Sequence, residues 1–309
     1  MYFLQIAQLQ EQLKSYYIAR TYDTEFANEL LREINAKRLE IALDAELREI
    51  FYAQQDIPID ASGYQQSHWF TKNDTEYAIK RAVAELVTTA TISAVNQGNY
   101  QRILTREPMR WQNLFSNVQD LNNSGQQIPF DFPQEMRFAE NESLGVAIQG
   151  QTDLGYIFYH GCTFKDHLED AARQALQNEI AQYTPAPQYV PMIFTFADSE
   201  AVDPSGSNQI FSAKNDRSVI LTHVSTSSQY FRLTITDEGR NQLICEDLEV
   251  GGMAGYGENA YTVYYPLPYP HLLRRGDRLR LRATNGSPMY DTSTDTDTLQ
   301  YLTFKGFSI

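Results

Sequence analysis

The chain has 309 residues, of which 42% are hydrophobic and 21% charged, and its formal net charge is −14. This composition supports packed cores in about two domains and excludes a wholly disordered chain. The acidic balance also argues against direct nucleic-acid binding, because a surface of that sign repels a phosphate backbone.

The first ten residues, MYFLQIAQLQ, lack the basic start and the apolar block of a signal peptide. No window approaches the run of about 18 apolar residues that a membrane-spanning helix needs. We therefore expect the chain to be made and folded in the cytoplasm of a cell.

A helical pattern runs over residues 23–54, where apolar side chains recur at spacings of three and four. Glu33 and Lys37 have the spacing of an ion pair on one helix face. The apolar stripe comprises Phe26, Leu30, Ile34, Leu39, Leu43, Leu47 and Ile50. These patterns predict an N-terminal helical arm over residues 1–55, with a further helix in the first 20 residues. The apolar stripe could pack along the outside of the first domain or on a neighbouring subunit, and we favour the neighbouring subunit.

Five short segments recur in the same order later in the chain, at separations of 137 to 145 residues. DASG at 60–63 returns as DPSG at 203–206, KND at 72–74 as KND at 214–216, SAVNQGNYQRIL as TITDEGRNQLI with Gly98 on Gly239, PFDFP at 129–133 as PLPYP at 266–270, and YIFYHGCTF at 156–164 as YLTFKGFSI at 301–309. Collinear matches at nearly constant separation indicate a tandem duplication. Two copies are too few for a solenoid, so they predict two sibling domains, at 56–165 and 188–309.

Both copies have the pattern of short antiparallel strands. Gly98 and Gly239 separate alternating runs and predict hairpins that need a positive φ. Residues 278–282 alternate between arginine and leucine, which predicts a half-buried strand. Residues 75–86 could form a helix, but the aligned partner SVILTHVS favours a strand. The proline-rich segments belong at a sheet edge or a crossing between sheets, because proline cannot donate a ladder hydrogen bond.

The predicted fold class is therefore mainly β, with tandem duplicated antiparallel β-sandwich domains of jelly-roll-like type and an immunoglobulin-like sandwich as the alternative. Residues 166–187 form the linker between the two domains, a helix followed by a proline-rich stretch. Asp166 and Glu169 have the spacing of a capping box, and the helix should end at Thr184-Pro-Ala-Pro.

Motifs of known chemistry do not occur: the chain has no phosphate-binding loop, nucleophile elbow, HExxH or dinucleotide-binding glycine pattern. We therefore assign no catalytic, cofactor-binding or metal-ligating residue. Cys162 and Cys245 are expected to be buried free thiols. The acidic loop from Asp291 to Asp297 could gather calcium ligands, and whether it does stays open. The five histidines are scattered without ligand spacing, at His68, His160, His167, His223 and His271.

One dense basic run stands out from the acidic background, at Arg274, Arg275, Arg278, Arg280 and Arg282. Alternation places the last three on one face of a strand. The face could be solvated, or it could receive an acidic surface of a neighbouring subunit.

Two similar sandwiches behind a helical arm, without a catalytic set, resemble the double jelly-roll capsid proteins of tailless, membrane-containing bacteriophages. The resemblance lies in the layout. It implies a structural protein of the virion that is made in the host cytoplasm, with no enzymatic activity and no cofactor. It also implies self-association as a homotrimer, so that three chains present six similar barrels, together with contact to other virion proteins and no direct nucleic-acid partner.

Three other roles stay open. The chain could be a head decoration or neck protein of a tailed phage, or a carbohydrate-binding module of a host-attachment spike, which would use exposed aromatic side chains. An enzyme is the remaining class. Proximity to a membrane in the particle is also left open.

Overall fold

The structure is a computed structural model, and it describes part of the chain. The described residues are 8–12, 24–59, 65–72, 75–85, 91–92, 95–96, 109–110, 130–149, 155–183, 185–195, 209–212, 217–226, 232–249, 253, 264–283 and 299–309.

The described part of the chain is mainly β, as predicted. Residues 8–12 are helical, and two longer helices are α1, Thr24–Leu47, and α2, Asp170–Gln182. The strands are β1 Arg48–Ile57, β2 Gln65–Phe70, β3 Tyr77–Glu85, β4 Thr91–Ile92, β5 Val95–Asn96, β6 Met109–Arg110, β7 Phe130–Phe138, β8 Leu144–Gln149, β9 Gly155–Phe164, β10 Pro187–Thr195, β11 Gln209–Ser212, β12 Val219–Thr226, β13 Arg232–Asp237, β14 Gln242–Glu249, β15 Tyr265–Leu273, β16 Arg278–Ala283 and β17 Leu299–Ser308.

The strand order is the same in the two halves of the chain. The first half has a sheet β1-β9-β3-β7 and a sheet β2-β8-β5, with β4 and β6 as a separate pair. The second half has a sheet β10-β17-β12-β15 and a sheet β11-β16-β13-β14. Replacing each strand of the first two sheets by its counterpart reproduces the second two, with β14 added. All the pairings are antiparallel.

An irregularity in the hydrogen-bond ladder also recurs at one place in each half. The register of β3 shifts between Ile79 and Arg81, and that of β12 shifts between Leu221 and His223, each against both neighbouring strands. β-bulges are positional features of a fold. The two halves therefore agree in strand order and in the position of a bulge.

The same registers correct one of the five sequence matches. Phe130 lies opposite Ala82 on β3, and Tyr265 lies opposite Val224 on β12. Phe130 and Tyr265 are therefore the corresponding residues. This pairing differs by two residues from our sequence alignment, which placed 129–133 on 266–270. Proline repeats within PLPYP allowed either registration, and only the ladder distinguishes them.

A glycine faces the bulged strand in both halves. A Cβ at Gly161 would clash with the carbonyl oxygen of Ala78, and a Cβ at Gly306 would clash with that of Ile220. Both carbonyls belong to the residue that precedes the irregular step. The backbones approach here too closely for any side chain, which explains why the aligned segments 156–164 and 301–309 share a glycine at this point.

The predicted arm is helical only as far as Leu47. Residues 48–57 form β1, which pairs with β9 along its whole length, from Arg48 opposite Phe164 to Ile57 opposite Gly155. The helical prediction to residue 54 was therefore wrong at its end. The run Ile50-Phe51-Tyr52 fits a strand as well as a helix, and the ladder with β9 decides it. The expected boundary between residues 55 and 56 falls inside this strand.

Helix α1 packs within its own chain, which corrects our expectation of a neighbouring subunit. Its Ile41, Ala42 and Ala45 form one buried cluster with Leu176 and Ile180 of α2. The outer face of the second half completes this cluster with Ile220, Leu272 and Ile309. The predicted pair of Glu33 with Lys37 is also not formed, because the Lys37 ammonium lies 3.0 Å from Glu40.

Helix α2 begins four residues later than predicted. Glu169 precedes its first turn without a side-chain capping bond, so the capping box at Asp166 is not formed. The reason is that the amide of Lys165 still bonds to the Leu47 carbonyl, which continues the sheet past β9. The helix ends at Gln182, before Thr184-Pro-Ala-Pro, as predicted.

The hairpin glycine has a different role from the predicted one. Gly239 does not have a positive φ, and in its loop that conformation falls on Asn241, with φ 51°. A Cβ at Gly239 would instead clash with the carboxylate of Asp277. Its counterpart Gly98 lies outside the described residues.

Several local predictions are confirmed. Residues 77–85 form a strand, and β7 and β15, which carry the prolines, lie at the ends of their sheets. In β16, Leu279 and Leu281 are buried and the arginines are exposed. Cys162 and Cys245 are buried free thiols. Among the helices that the structure describes, none is both long and apolar enough to cross a bilayer.

Candidate functional site

The junction between the two halves holds several buried polar contacts among the described residues, and we treat it as the candidate functional site. The sheet β1-β9-β3-β7 is covered on both faces. One face, with Phe51 and Ile79, belongs to the core of the first half. The other face, with Tyr52 and Phe158, belongs to the same core cluster as Val224 and other residues of the second half. The halves thus share a core.

In the second half, the corresponding sheet face is covered by helices. Ala78 of β3 corresponds in register to Ile220 of β12. Ala78 belongs to the shared core, whereas Ile220 packs beneath α1 and α2. Equivalent faces of the two sheets are therefore buried by different partners, the second half in one case and the helices in the other.

Arg81 joins the two halves at the bulge of β3. Its guanidinium donates to Asp131 of β7, with Nη2 2.9 Å from Oδ2, and also to the Pro266 carbonyl of β15, at 2.6 Å from Nη1. Only 4% of Arg81 is exposed. The bulge places the arginine so that it ties the edge strand of one half to the edge strand of the other.

Arg48, at the start of β1, makes a second link. Its Nη1 lies 2.8 Å from Glu135 of β7, and the Tyr269 hydroxyl of β15 donates to the same carboxylate at 3.0 Å. Burial raises the pKa of Glu135, but the hydrogen bonds from Arg137 and Arg48 outweigh burial and hold the pKa below its usual value. Glu135 therefore stays ionised between the two halves.

Glu46 links helix α1 to the second half. Its carboxylate is 2% exposed on the side chain and accepts from Arg240 at 2.8 Å and from Arg274, whose Nε lies 3.1 Å away. Lys165 lies 3.6 Å from the other oxygen. A buried carboxylate surrounded by three cations is well compensated, whereas removal of the carboxylate would leave the buried Arg240 with only Asp237, 3.8 Å from its Nε, as a counter-charge.

A buried histidine lies next to this cluster. His271 Nε2 is 3.0 Å from Asp237 Oδ2, and Asp237 also accepts from the Arg240 amide at 3.3 Å. Burial lowers the pKa of His271 more than Asp237 raises it. Nδ1 of His271 has no hydrogen-bond partner among the described residues, which suits a neutral ring that carries its proton on Nε2.

Asp237 carries the negative charge of this pair. Burial raises its pKa, but the hydrogen bond from His271 and the nearby Arg240 outweigh burial, and the net pKa is lowered. Neutral histidine and ionised aspartate are therefore the forms that the fold favours near neutral pH.

The residues that the sequence singled out lie mostly outside this junction. Two exceptions are Arg274, which holds Glu46, and His271, which pairs with Asp237. His160 is buried on β9 and lies at the position of Lys305 on β17, as aligned. The described residues include no group of three or more His, Cys, Asp or Glu side chains that could hold a metal ion. The acidic loop at 291–297 lies outside the described residues.

Sequence reasoning missed Glu46, Arg81 and Arg240. Glu46 carried a usable signal, because it lies four residues after Ala42 on the apolar side of a helix. Arg81 carried none, and neither did the contact of Arg240 with Glu46, because these partners lie far away in the sequence.

Comparison with known proteins gives likenesses to solved structures only, since no family model and no curated protein matches the chain. The major capsid protein P2 of bacteriophage PM2 is similar over 84% of this chain and 97% of its own, at 8% identity and a TM-score of 0.25. The PBCV-1 virus capsid is similar over 84% of this chain and 94% of its own, at 11% identity and a TM-score of 0.22. The STIV MCP is similar over 84% of this chain and 97% of its own, at 9% identity and a TM-score of 0.20.

Proposed function

We propose that the chain is a structural protein of a virus particle, a capsid shell protein of a bacteriophage that self-assembles through two jelly-roll-like halves. The observation that carries the proposal is the repeated architecture: two halves with one strand order and one bulge position, joined through a shared core. A shell subunit needs a rigid block, and two halves that share one core support that role.

The two halves descend, in this proposal, from a tandem duplication. The corresponding positions of Arg81 and His223 at the bulge, and of Gly161 and Gly306 opposite it, support a common origin. After duplication, the equivalent outer faces acquired different covers.

The proposed assembly is a homotrimer that contacts other virion proteins, formed after synthesis in the host cytoplasm. No catalytic role and no nucleic-acid partner are part of the proposal. Open sheet edges and a polar surface are the features through which such a chain would contact its neighbours.

A carbohydrate-binding role has one observation in its favour. Trp69 on β2 is 41% exposed, and its ring lies over Gly145, where no side chain intervenes. An exposed indole on a strand is a surface on which a sugar ring can stack. A head decoration or neck protein of a tailed phage would have the same fold, but its role would not depend on the exposed Trp69.

Assembly of the purified full chain tests the proposal. We expect native mass spectrometry to find a species of three times 35.4 kDa, and electron microscopy to find shell fragments or particles at high concentration. A chain that stays monomeric at every concentration contradicts a shell role. Binding on a glycan array that the substitution Trp69→Ala abolishes would instead favour the carbohydrate-binding module.

A further inference from the structure

The exposed face of β16 carries a row of arginines on an acidic protein. Arg278, Arg280 and Arg282 are exposed, while Leu279 and Leu281 between them are fully buried. Arg280 pairs with Glu238 at 2.5 Å. No ion pair joins Arg278 or Arg282 to another residue in the part of the chain that the structure describes. Two cations of this row are thus available to a partner.

The same sheet face continues with uncharged residues. Thr236 of β13 lies opposite Arg280 on one side and opposite Leu243 of β14 on the other. Directly opposed residues of antiparallel strands project from the same face. Leu243 is 46% exposed. We call this surface, Arg278, Arg280, Arg282, Thr236 and Leu243, the basic face.

Helix α1 carries a surface of opposite charge on the side away from its buried stripe. Glu25, Glu29, Glu33, Glu40 and Asp44 are all exposed. At about 100° per residue, these positions fall within roughly 100° of the helix circumference. We call this row the acidic ridge.

Part of the acidic ridge is already paired within the chain and part is not. Glu40 lies 3.0 Å from Lys37, and Asp44 lies 2.9 Å from Arg48. Glu29 and Glu33 make no ion pair with any of the described residues. The two available carboxylates therefore lie next to each other on one turn of the helix.

The two surfaces match in spacing as well as in sign. Alternate residues of a strand lie about 6.8 Å apart, so the arginines of the basic face repeat at that distance. Residues four apart on a helix are separated by about 6 Å along its axis, which is the spacing of Glu29 and Glu33. A helix ridge lying along the strand could therefore pair with two neighbouring arginines at once, Arg280 and either Arg278 or Arg282, while Arg280 keeps its pair with Glu238.

We propose that the basic face of one copy of the chain docks on the acidic ridge of a second copy. The contact is heterologous, with different surfaces on the two copies, so it can close a ring or extend into a lattice. This proposal rests on the proposed self-assembly and specifies the surfaces that make it. A second copy suits the basic face better than a nucleic acid does, because Leu243 offers an apolar contact and the chain itself carries the complementary acidic row.

Exposed ion pairs of this kind contribute orientation and association rate more than affinity, and salt screens them. The dissociation constant of self-association should therefore rise steeply with ionic strength. Charge reversal should be more damaging than neutralisation, because it places like charges opposite each other.

Charge exchange in the full chain tests the proposal by sedimentation velocity at low and high salt. The basic-face variant is Arg278→Glu with Arg282→Glu, and the ridge variant is Glu29→Lys with Glu33→Lys. Each is expected to weaken self-association about tenfold or more, and the four substitutions together are expected to restore it. An equimolar mixture of the two double variants should also associate, because each supplies the surface that complements the other.

Matched controls are Arg173→Glu on α2 and Glu140→Lys in the loop after β7, both at exposed positions outside the two surfaces. They should associate as the original chain does, and circular dichroism should show every variant folded. Wild-type-like association of the basic-face variant overturns this proposal while leaving a shell role intact. Association that depends on the basic face but stops at a small closed ring contradicts the shell role alone. A monomeric wild type contradicts both.

Binding of a duplex DNA oligonucleotide gives a further arm of the experiment. The proposal expects no binding beyond that of the Arg173→Glu control. Binding that the basic-face variant loses would assign the face to a phosphate backbone and overturn the contact between copies.

Discussion

At the scale of the residue, two glycines show how closely the strands approach beside the bulges. Gly161 and Gly306 face the carbonyls of Ala78 and Ile220, where a Cβ has no space. Gly239 is different, because the atom that a Cβ would meet belongs to the side chain of Asp277, which can rotate. The three positions therefore differ in what has to move.

We expect Gly161→Ala and Gly306→Ala each to lower the free energy of unfolding by about 3 kcal/mol, because a backbone strand must shift. Gly239→Ala should cost less, since one carboxylate moves. Urea denaturation followed by circular dichroism measures the difference. Equal losses at all three positions would show that backbone approach is not the constraint.

The buried His271 predicts a pH dependence of stability. Its folded pKa is lowered from the ordinary 6.5, so below about pH 6.5 the unfolded chain binds a proton that the folded chain does not. Stability should fall on acidification through this range. Asp237, whose folded pKa is lowered from 3.8, adds a loss of the same sign at lower pH.

The substitution His271→Gln keeps a donor for Asp237 and removes the titration. We expect the slope of unfolding free energy against pH between pH 6.5 and 5 to fall by up to about 1.4 kcal/mol per pH unit. His167→Gln, at an exposed position, is the matched control and should leave the slope unchanged. An unchanged slope in His271→Gln would mean that His271 titrates normally in the fold.

At the scale of the element, helix α1 is held by one buried carboxylate as well as by its apolar face. Glu46 gathers Arg240, Arg274 and Lys165, two of which belong to the second half. The helix thereby ties the start of the first half to the far half of the chain.

The substitution Glu46→Ala should cost about 3–5 kcal/mol of unfolding free energy, because Arg240 stays buried with only the more distant Asp237 as a counter-charge. Glu40→Ala removes an exposed carboxylate of the same helix and should cost under about 1 kcal/mol. Hydrogen exchange provides the second readout: the amides of α1 should lose protection in Glu46→Ala only. Equal losses of unfolding free energy in the two variants would contradict the role of Glu46 in holding α1 to the second half.

At the scale of the whole molecule, the halves are not two independent domains that merely touch. Phe158 lies on the first half and is fully buried in the core that the two halves share. If the two halves were separated, each would expose an apolar sheet face that the other half now covers. We therefore expect one cooperative unfolding transition for the chain.

The substitution Phe158→Ala tests this coupling. It should lower the free energy of unfolding by about 3–5 kcal/mol and reduce hydrogen-exchange protection in β13 and β14 as well as in β9. Phe26→Ala, at a residue that is 43% exposed, is the matched control with a small effect. Loss of protection confined to the first half would contradict the shared core.

Local patterns in the sequence determined which segments are strands and which sheet face is polar. The alternation over residues 278–282 predicted β16 correctly, and the prolines predicted the edge position of β15, because both depend on the chemistry of single residues within one strand. The recurrence of segments also predicted one strand order for the two halves. The same local patterns could not separate a helix from a strand at residues 48–54.

Only the tertiary structure decided what covers each face. Ala78 and Ile220 occupy corresponding positions, yet one lies in the core shared by the halves and the other lies under two helices. The apolar stripe of α1 likewise predicted that one helix face is buried, but it did not predict which residues cover that face. Hydrophobic periodicity predicts that a face is buried. The elements that cover the face are determined by contacts between residues more than a hundred positions apart, such as Gln242 with the Ile50 carbonyl. No local pattern in the sequence encodes such contacts.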